Sequence, residues 1–235
     1  VRKEIIGDCT LYLGDSLDIV SGLSGFDVLI TDPPYGVNGG SGTIGKASKK
    51  TKYDADFPDT PEYIEKVCSQ VVRLCIDKCG RAAVTTGTRN MFKYPEPTDI
   101  GGFTNPAGSG LSHWGMVTFQ PILFYGRDPR VGKTISPMTH PLYSGRQDID
   151  HPCPKPLKEW TWLVHKASLA GETVIDPFMG SGTTGVSCVK LGRKFIGIEL
   201  DEKYFDLACS RIAESRRQPD LFPPKSKKVK QQSFL

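Results

Sequence analysis

Two apolar segments, each closed by an aspartate and a proline, constrain the fold more than any other feature of the chain. Phe26–Thr31 runs into Asp32-Pro33-Pro34-Tyr35, and Thr173–Ile175 runs into Asp176-Pro177-Phe178-Met179-Gly180-Ser181-Gly182-Thr183-Thr184. Each reads as a buried strand that stops where proline removes the backbone donor needed to continue a ladder. Around them strands alternate with helices, which predicts an α/β fold with a doubly wound, mostly parallel, Rossmann-like sheet. In open sheets of that kind ligands bind beyond the carboxyl ends of the strands. Both motifs therefore fall where a site is expected.

Glu4 to Gly14 carries two short strands, and Phe26–Thr31 follows. Residues 36–58 form a Gly-, Ser- and Lys-rich loop. Thr60-Pro61-Glu62 opens a helix, with Thr60 as cap and Pro61 at the first helical position. Its apolar residues recur at helical spacing until Gly80 stops it, and a strand at Ala82–Thr86 completes a strand–helix–strand unit. Residues 87–115 read as irregular. Val117–Tyr125 is β-rich but holds Pro121, which predicts an edge strand or a bulged pair. Pro156 opens a helix to about Ser168. Helices to Leu191 and from Glu202 to about Arg216 flank a strand at Phe195–Ile198. A single domain over 1–216 is expected, with a short insert at about 126–150 and a flexible basic tail at 217–235.

The 235 residues suffice for one large core, and no apolar run approaches the roughly 18–20 residues of a membrane span. Seven cysteines, odd in number and without a C-x-x-C pair, argue against a disulfide framework or zinc site and for a reducing, cytoplasmic setting. No metal site is expected. Cys68, Cys75 and Cys79 share one helix face and are expected to pack in the core. A net charge of +4 permits a polyanionic partner. Lys46, Lys49, Lys50 and Lys52, then Arg127, Arg130, Lys133 and Arg146, then Lys225, Lys227, Lys228 and Lys230 lie on loops around the motifs, a distribution suited to phosphate contacts.

Gly180-x-Gly182-x-x-Gly185 after a strand, with Glu199 ending the next, matches a dinucleotide fingerprint, so a nicotinamide enzyme is one reading. Glu199 can accept hydrogen bonds from both hydroxyls of a ribose. Asp176, four residues before the first glycine, would repel a pyrophosphate but suit the ammonium and sulfonium of S-adenosylmethionine. At the other motif, Pro33 and Pro34 fix extended geometry and turn short backbone carbonyls toward the site. The Asp32 carboxylate and the Pro33 carbonyl can each take one N–H of an exocyclic amino group, freeing its nitrogen lone pair. Tyr35 can stack on a base that has left the duplex.

Taken with Gly14-Asp15, His151-Pro152-Cys153-Pro154-Lys155-Pro156 and Glu199, these motifs resemble the DNA amino-methyltransferases of the β class, where the catalytic motif precedes the cofactor motif. The resemblance extends over most of 4–216 and implies the Rossmann-like fold of S-adenosylmethionine-dependent methyltransferases. It implies catalysis by Asp32, Pro33, Pro34 and Tyr35. Lys155 would neighbour the cofactor carboxylate, Asp15 the adenine amino group and Glu199 the ribose. Phe178 and Gly180 would line the pocket, with Asp176, Gly182 and Thr183 in the same cofactor set. Cys153 and Pro154 depart from the family's His-Pro-Thr-Gln-Lys-Pro element. Asp in the first motif position favours adenine N6 in DNA; cytosine N4, RNA amino groups and the nicotinamide reading are the alternatives. The chain also resembles compact phage and prophage methylases, which suggests a restriction-modification or phage setting. The short insert predicts a short or degenerate recognition site, helped by loops 36–58 and 99–115.

Gln218-Pro219-Asp220-Leu221-Phe222 resembles a sliding-clamp docking peptide, although Leu221 and Phe222 folding onto the core is the plainer reading. Trp160 is expected to pack in the core. His113-Trp114 is a candidate substrate contact, and His140 and His165 carry no pattern.

Overall fold

The computed structural model describes residues 1–36, 59–108, 111–112, 114–133, 136–142 and 155–217. The lysine-bearing loop beyond Gly36, His113, His151–Pro154 with Cys153, and the tail from Gln218 with its Gln218–Phe222 peptide lie outside the described residues.

β1 (Arg2–Ile6) and β2 (Cys9–Leu13) form an antiparallel hairpin. α1 (Ser16–Gly22) leads to β3 (Val28–Thr31). A helical run then starts at Thr60, whose hydroxyl accepts from Tyr63 N at 3.2 Å, passes through a π-helical Ile64–Cys68 and continues as α2 (Ser69–Cys79). β4 (Ala82–Thr85), β5 (Asp99–Thr104), β6 (Leu111–Ser112), β7 (Gly115–Met116), β8 (Phe119–Tyr125) and β9 (Thr139–Pro141) follow. The chain closes with α3 (Leu157–Ala167), β10 (Thr173–Asp176), α4 (Thr183–Leu191), β11 (Lys194–Glu199) and α5 (Glu202–Arg217).

Nine strands make one sheet in the order β1-β2-β11-β10-β3-β4-β8-β5-β9, with β6 and β7 as a separate pair. From β2 to β4 every ladder is parallel. The central strands are buried on both faces, as a sheet covered by helices requires. Their side chains alternate accordingly. Val28, Ile30, Ala83 and Val174 point into one apolar cluster with Trp160, Leu163, Val186, Phe205 and Ile212 of α3, α4 and α5. Leu29, Ala82, Val84 and Ile175 point into the other, with Val20, Ile64, Cys68, Val71, Val72 and Cys75 from the α1 and α2 side. Cys68 and Cys75 are core residues, while Cys79 is only partly buried.

Two expectations are corrected here. The stretch 87–115 is not wholly irregular, because it contains β5. Gly101-Gly102 hides that strand in the sequence but is demanded by it. A Cβ on Gly101 would stand 2.1 Å from the Met138 carbonyl oxygen, and one on Gly102 2.4 Å from the Phe119 ring. β8 is not an edge strand either, since it lies between β4 and β5. Pro121 is tolerated because β4 ends at Thr85, opposite Ile122. Its missing N–H falls just past that ladder, and its carbonyl still accepts from Thr86 N at 3.1 Å.

The topology positions the site. β3 and β10 are neighbours, with Val174 opposite Val28 and Ile175 opposite Leu29. The chain leaves β3 for β4 on one side and β10 for β11 on the other. Their adjoining carboxyl ends are thus the topological switch point, where such sheets hold ligands.

Candidate active site

Four loops meet at the carboxyl edge, after β2, β3, β10 and β11. Gly14 N donates to the Glu199 carbonyl at 2.9 Å, Ser16 Oγ to the Pro177 carbonyl at 2.5 Å, and Gly180 N to Glu199 Oε2 at 2.9 Å. The two aspartate motifs, about 140 residues apart in the chain, are brought together there.

The turn after β10 is built for close approach. Gly182 caps α4 at φ 78°, a left-handed conformation that favours glycine, and a Cβ there would come within 2.8 Å of Ala208 Cβ. Arg211 Nη1 holds the turn from α5 by donating to Ser181 Oγ at 2.8 Å and to Thr183 Oγ1 at 3.3 Å. Asp176 lies beneath it, 2% exposed. Thr31 Oγ1 donates to its Oδ1 at 2.6 Å, Phe178 N to the same oxygen at 3.1 Å, and Thr184 Oγ1 to Oδ2 at 2.5 Å. Trp160 Nε1 donates to Thr184 Oγ1 at 2.8 Å and completes the network. Burial pushes the Asp176 carboxyl up to about 6 against the pull of those bonds. The carboxylate expected to face a cofactor cation is thus also the tie between the end of β3 and the start of α4.

Glu199 is similarly enclosed. Leu200 N and Asp201 N donate to its Oε1 at 2.9 Å each, and burial pushes the carboxyl up to about 7. Asp15, exposed, caps α1 by accepting from Leu17 N at 2.8 Å and Asp18 N at 3.2 Å. Tyr63 was not among the sequence candidates, yet its half-buried phenol is pushed up chiefly by burial, with Asp15 and Glu199 among the charges acting on it. It packs with Leu17 and Phe178 on the same apolar cluster.

The second half of the site follows β3. Thr31 pairs with Val84, so Asp32 and Thr85 leave the sheet side by side. Thr85 Oγ1 donates to Asp32 Oδ1, and Tyr35 OH donates to the same oxygen at 2.7 Å. Lys155 Nζ lies 2.8 Å from Asp32 Oδ2, 3.1 Å from Tyr35 OH and 5.0 Å from the Tyr35 ring centroid. Gln120 Nε2 of β8 also donates to Tyr35 OH. The Tyr35 phenol therefore gives one hydrogen bond and receives two, and burial with the adjacent Asp32 charge pushes its titration up. Asn90 Nδ2 fixes the turn backbone by donating to the Tyr35 carbonyl at 2.7 Å.

The structure thus gathers Asp32–Tyr35, Lys155, Asp176–Thr184 and Glu199 at one edge, with Asp15 at its rim. Lys155, which the resemblance put beside the cofactor carboxylate, contacts Asp32 and Tyr35. Thr31, Thr85, Asn90, Gln120 and Tyr63 escaped sequence reasoning. Threonines at the carboxyl ends of predicted parallel strands were a usable signal for Thr31 and Thr85. Nothing local marks Gln120, whose partner is 85 residues away. Trp160 is buried as expected, and Trp114 is 99% exposed. Among the described residues no group of three or more His, Cys, Asp or Glu is arranged for a metal, and no helix is long and apolar enough to cross a membrane.

The fold is that of S-adenosylmethionine-dependent methyltransferases. The PvuII DNA methyltransferase, described as cytosine-N4-specific, superposes with a TM-score of 0.62 at 16% identity, covering 87% of this chain and 86% of that one. The M1.HpyAVI–SAM complex gives 0.59 at 22% identity, covering 87% and 98%. Residues 132–210 match the DNA methylase family N6_N4_Mtase. The type II methyltransferase M2.DpnII of Streptococcus pneumoniae is 25% identical over 219 residues, 79% of this chain and 82% of the relative.

Proposed function

We propose that the protein is an S-adenosylmethionine-dependent DNA amino-methyltransferase of the β class that methylates adenine at N6. The observation that carries this reading is the meeting of Asp32–Tyr35 and the Asp176–Thr184 cradle at the adjoining ends of β3 and β10. The cradle fits the cofactor: the Gly182 turn excludes a side chain, and Glu199 and Asp15 supply carboxylate acceptors beside it. The cofactor brings the methyl group on a sulfonium. Glu199 and Asp15 bind its ribose and adenine, with Phe178 and Tyr63 as apolar walls. Asp32 Oδ2 and the Pro33 carbonyl accept the two N–H groups of the target, which draws the nitrogen toward tetrahedral and exposes its lone pair. The nitrogen gains a methyl group and loses a proton to Asp32 or to water. The gain in rate is positional.

The adenine assignment rests on Asp32 in the first motif position. It is tested by mass spectrometry of nucleosides from unmethylated DNA incubated with the protein and labelled S-adenosylmethionine. N6-methyladenine lost in Asp32→Ala is the expected product. N4-methylcytosine would keep the chemistry and overturn the base, and label in RNA alone would overturn the substrate.

A further inference from the structure

The Asp32 carboxylate is engaged at both oxygens before any nucleobase arrives. Its Oδ1 receives the Thr85 and Tyr35 hydroxyls, and its Oδ2 is paired with the Lys155 ammonium at 2.8 Å. Oδ2 carries the fewer donors and is the oxygen on which a target amino group would bond, so the Lys155 ammonium stands on the side of the carboxylate that the amino group would use. The same ammonium lies 5.0 Å from the Tyr35 ring centroid, within cation–π range of the ring on which a base is expected to stack. The pair is neither loose nor sealed: Lys155 and Asp32 side chains are 17% and 21% exposed.

We propose that Lys155 is a placeholder for the target amino group: its ammonium holds Asp32 and Tyr35 in working geometry and is exchanged for the exocyclic nitrogen of the flipped base. This rests on the amino-methyltransferase reading. Electrostatics requires the exchange. On accepting a methyl group the target nitrogen becomes cationic until it loses its proton, and a second cation on the same carboxylate would oppose that step. The exchange is conservative, because an N–H donor replaces an N–H donor and Asp32 is never left unpaired in a half-buried site. A base that presents a carbonyl instead of an amino group does not compete with Lys155 for Asp32.

The test uses the full chain and duplexes carrying the site that methylome sequencing of the wild-type product returns. One duplex keeps the target base and its twin carries the deaminated counterpart, hypoxanthine for adenine or uracil for cytosine. Affinities are compared without cofactor for wild type and Lys155→Met. Removing the competitor should raise the amino-to-deaminated affinity ratio about tenfold. A lysine that only shapes the fold or touches phosphate shifts both duplexes alike, and an unchanged or lower ratio overturns the placeholder role. If Lys155→Met does not unfold cooperatively, Lys155→Gln, which keeps a donor without the charge, decides with a smaller rise of about threefold. Absence of methyl transfer by the wild type ends the amino-methyltransferase reading itself. Transfer with an unchanged ratio ends the placeholder alone.

Discussion

The ends of β10 and β3 are neighbours, yet they are held by different means. Beyond β10, Asp176 is buried, bonded by Thr31, Thr184 and Phe178 N, and roofed by a turn into which a methyl group does not fit. Beyond β3, Asp32 is held by hydroxyls and an ammonium at the tips of side chains from β4, the Tyr35 turn and the residue before Pro156. The first arrangement resists change because its partners are backbone or buried. In the second Thr85 is buried too, but Lys155 and Tyr35 are only partly buried and can trade partners with little disturbance of the core. On the proposed function, the former suits a cofactor seat and the latter a seat for successive target bases.

The largest expected effect breaks the catalytic half alone. Asp32→Ala should lower methyl transfer by at least about a thousandfold, while its thermal midpoint stays within a few degrees of wild type. A collapse of stability instead would mean that both halves are structural. Gly182→Ala should do the reverse damage. The positive φ and the contact with Ala208 are expected to cost about 2 kcal/mol in urea unfolding, together with weakened S-adenosylmethionine binding in calorimetry. Next come the two threonines. Thr31→Val leaves a buried acceptor on Asp176 short of a donor and should destabilise by about 1–2 kcal/mol. Thr85→Val should leave stability nearly unchanged and show mainly in kcat. Equal effects of the two on stability would erase the distinction.

The smallest effect is in pH. Asp176 and Glu199, pushed up to about 6 and about 7 by burial, bind protons that the unfolded chain has already released. Their contribution to stability is present below about pH 4 and is lost as pH rises through 6 and 7. Thermal melts should therefore fall by a few degrees between pH 5 and pH 8. Asp176→Asn, whose amide can donate to Thr184 while Oδ1 keeps its donors, should flatten that slope.

The parts of this design that were readable in the sequence are those with local signals. The alternation of apolar strands with helices capped by Thr60 or stopped by Gly80 marks the layered sheet, and proline after aspartate marks both strand ends. Tertiary pairing hid the rest. Gly101-Gly102 reads as a loop until the Met138 carbonyl and the Phe119 ring that crowd it are known. Pro121 reads as an edge until β4 is seen to stop one residue earlier. Lys155 was placed by resemblance, but its contact with Asp32 depends on two segments 123 residues apart, for which no periodicity or cap gives notice.

The strand order also bears on how the chain is assembled. β2 and β3 are made early, but they are not neighbours: β11 and β10 stand between them. Until the chain has been synthesised past Glu199, β2 and β3 each present an unpaired, largely apolar edge, the kind of surface through which nascent chains associate wrongly. The central ladders close loops of well over 100 residues, which slows folding. The proposed cofactor seat, formed by the last strands to be inserted, therefore comes into being in the same event that seals the sheet.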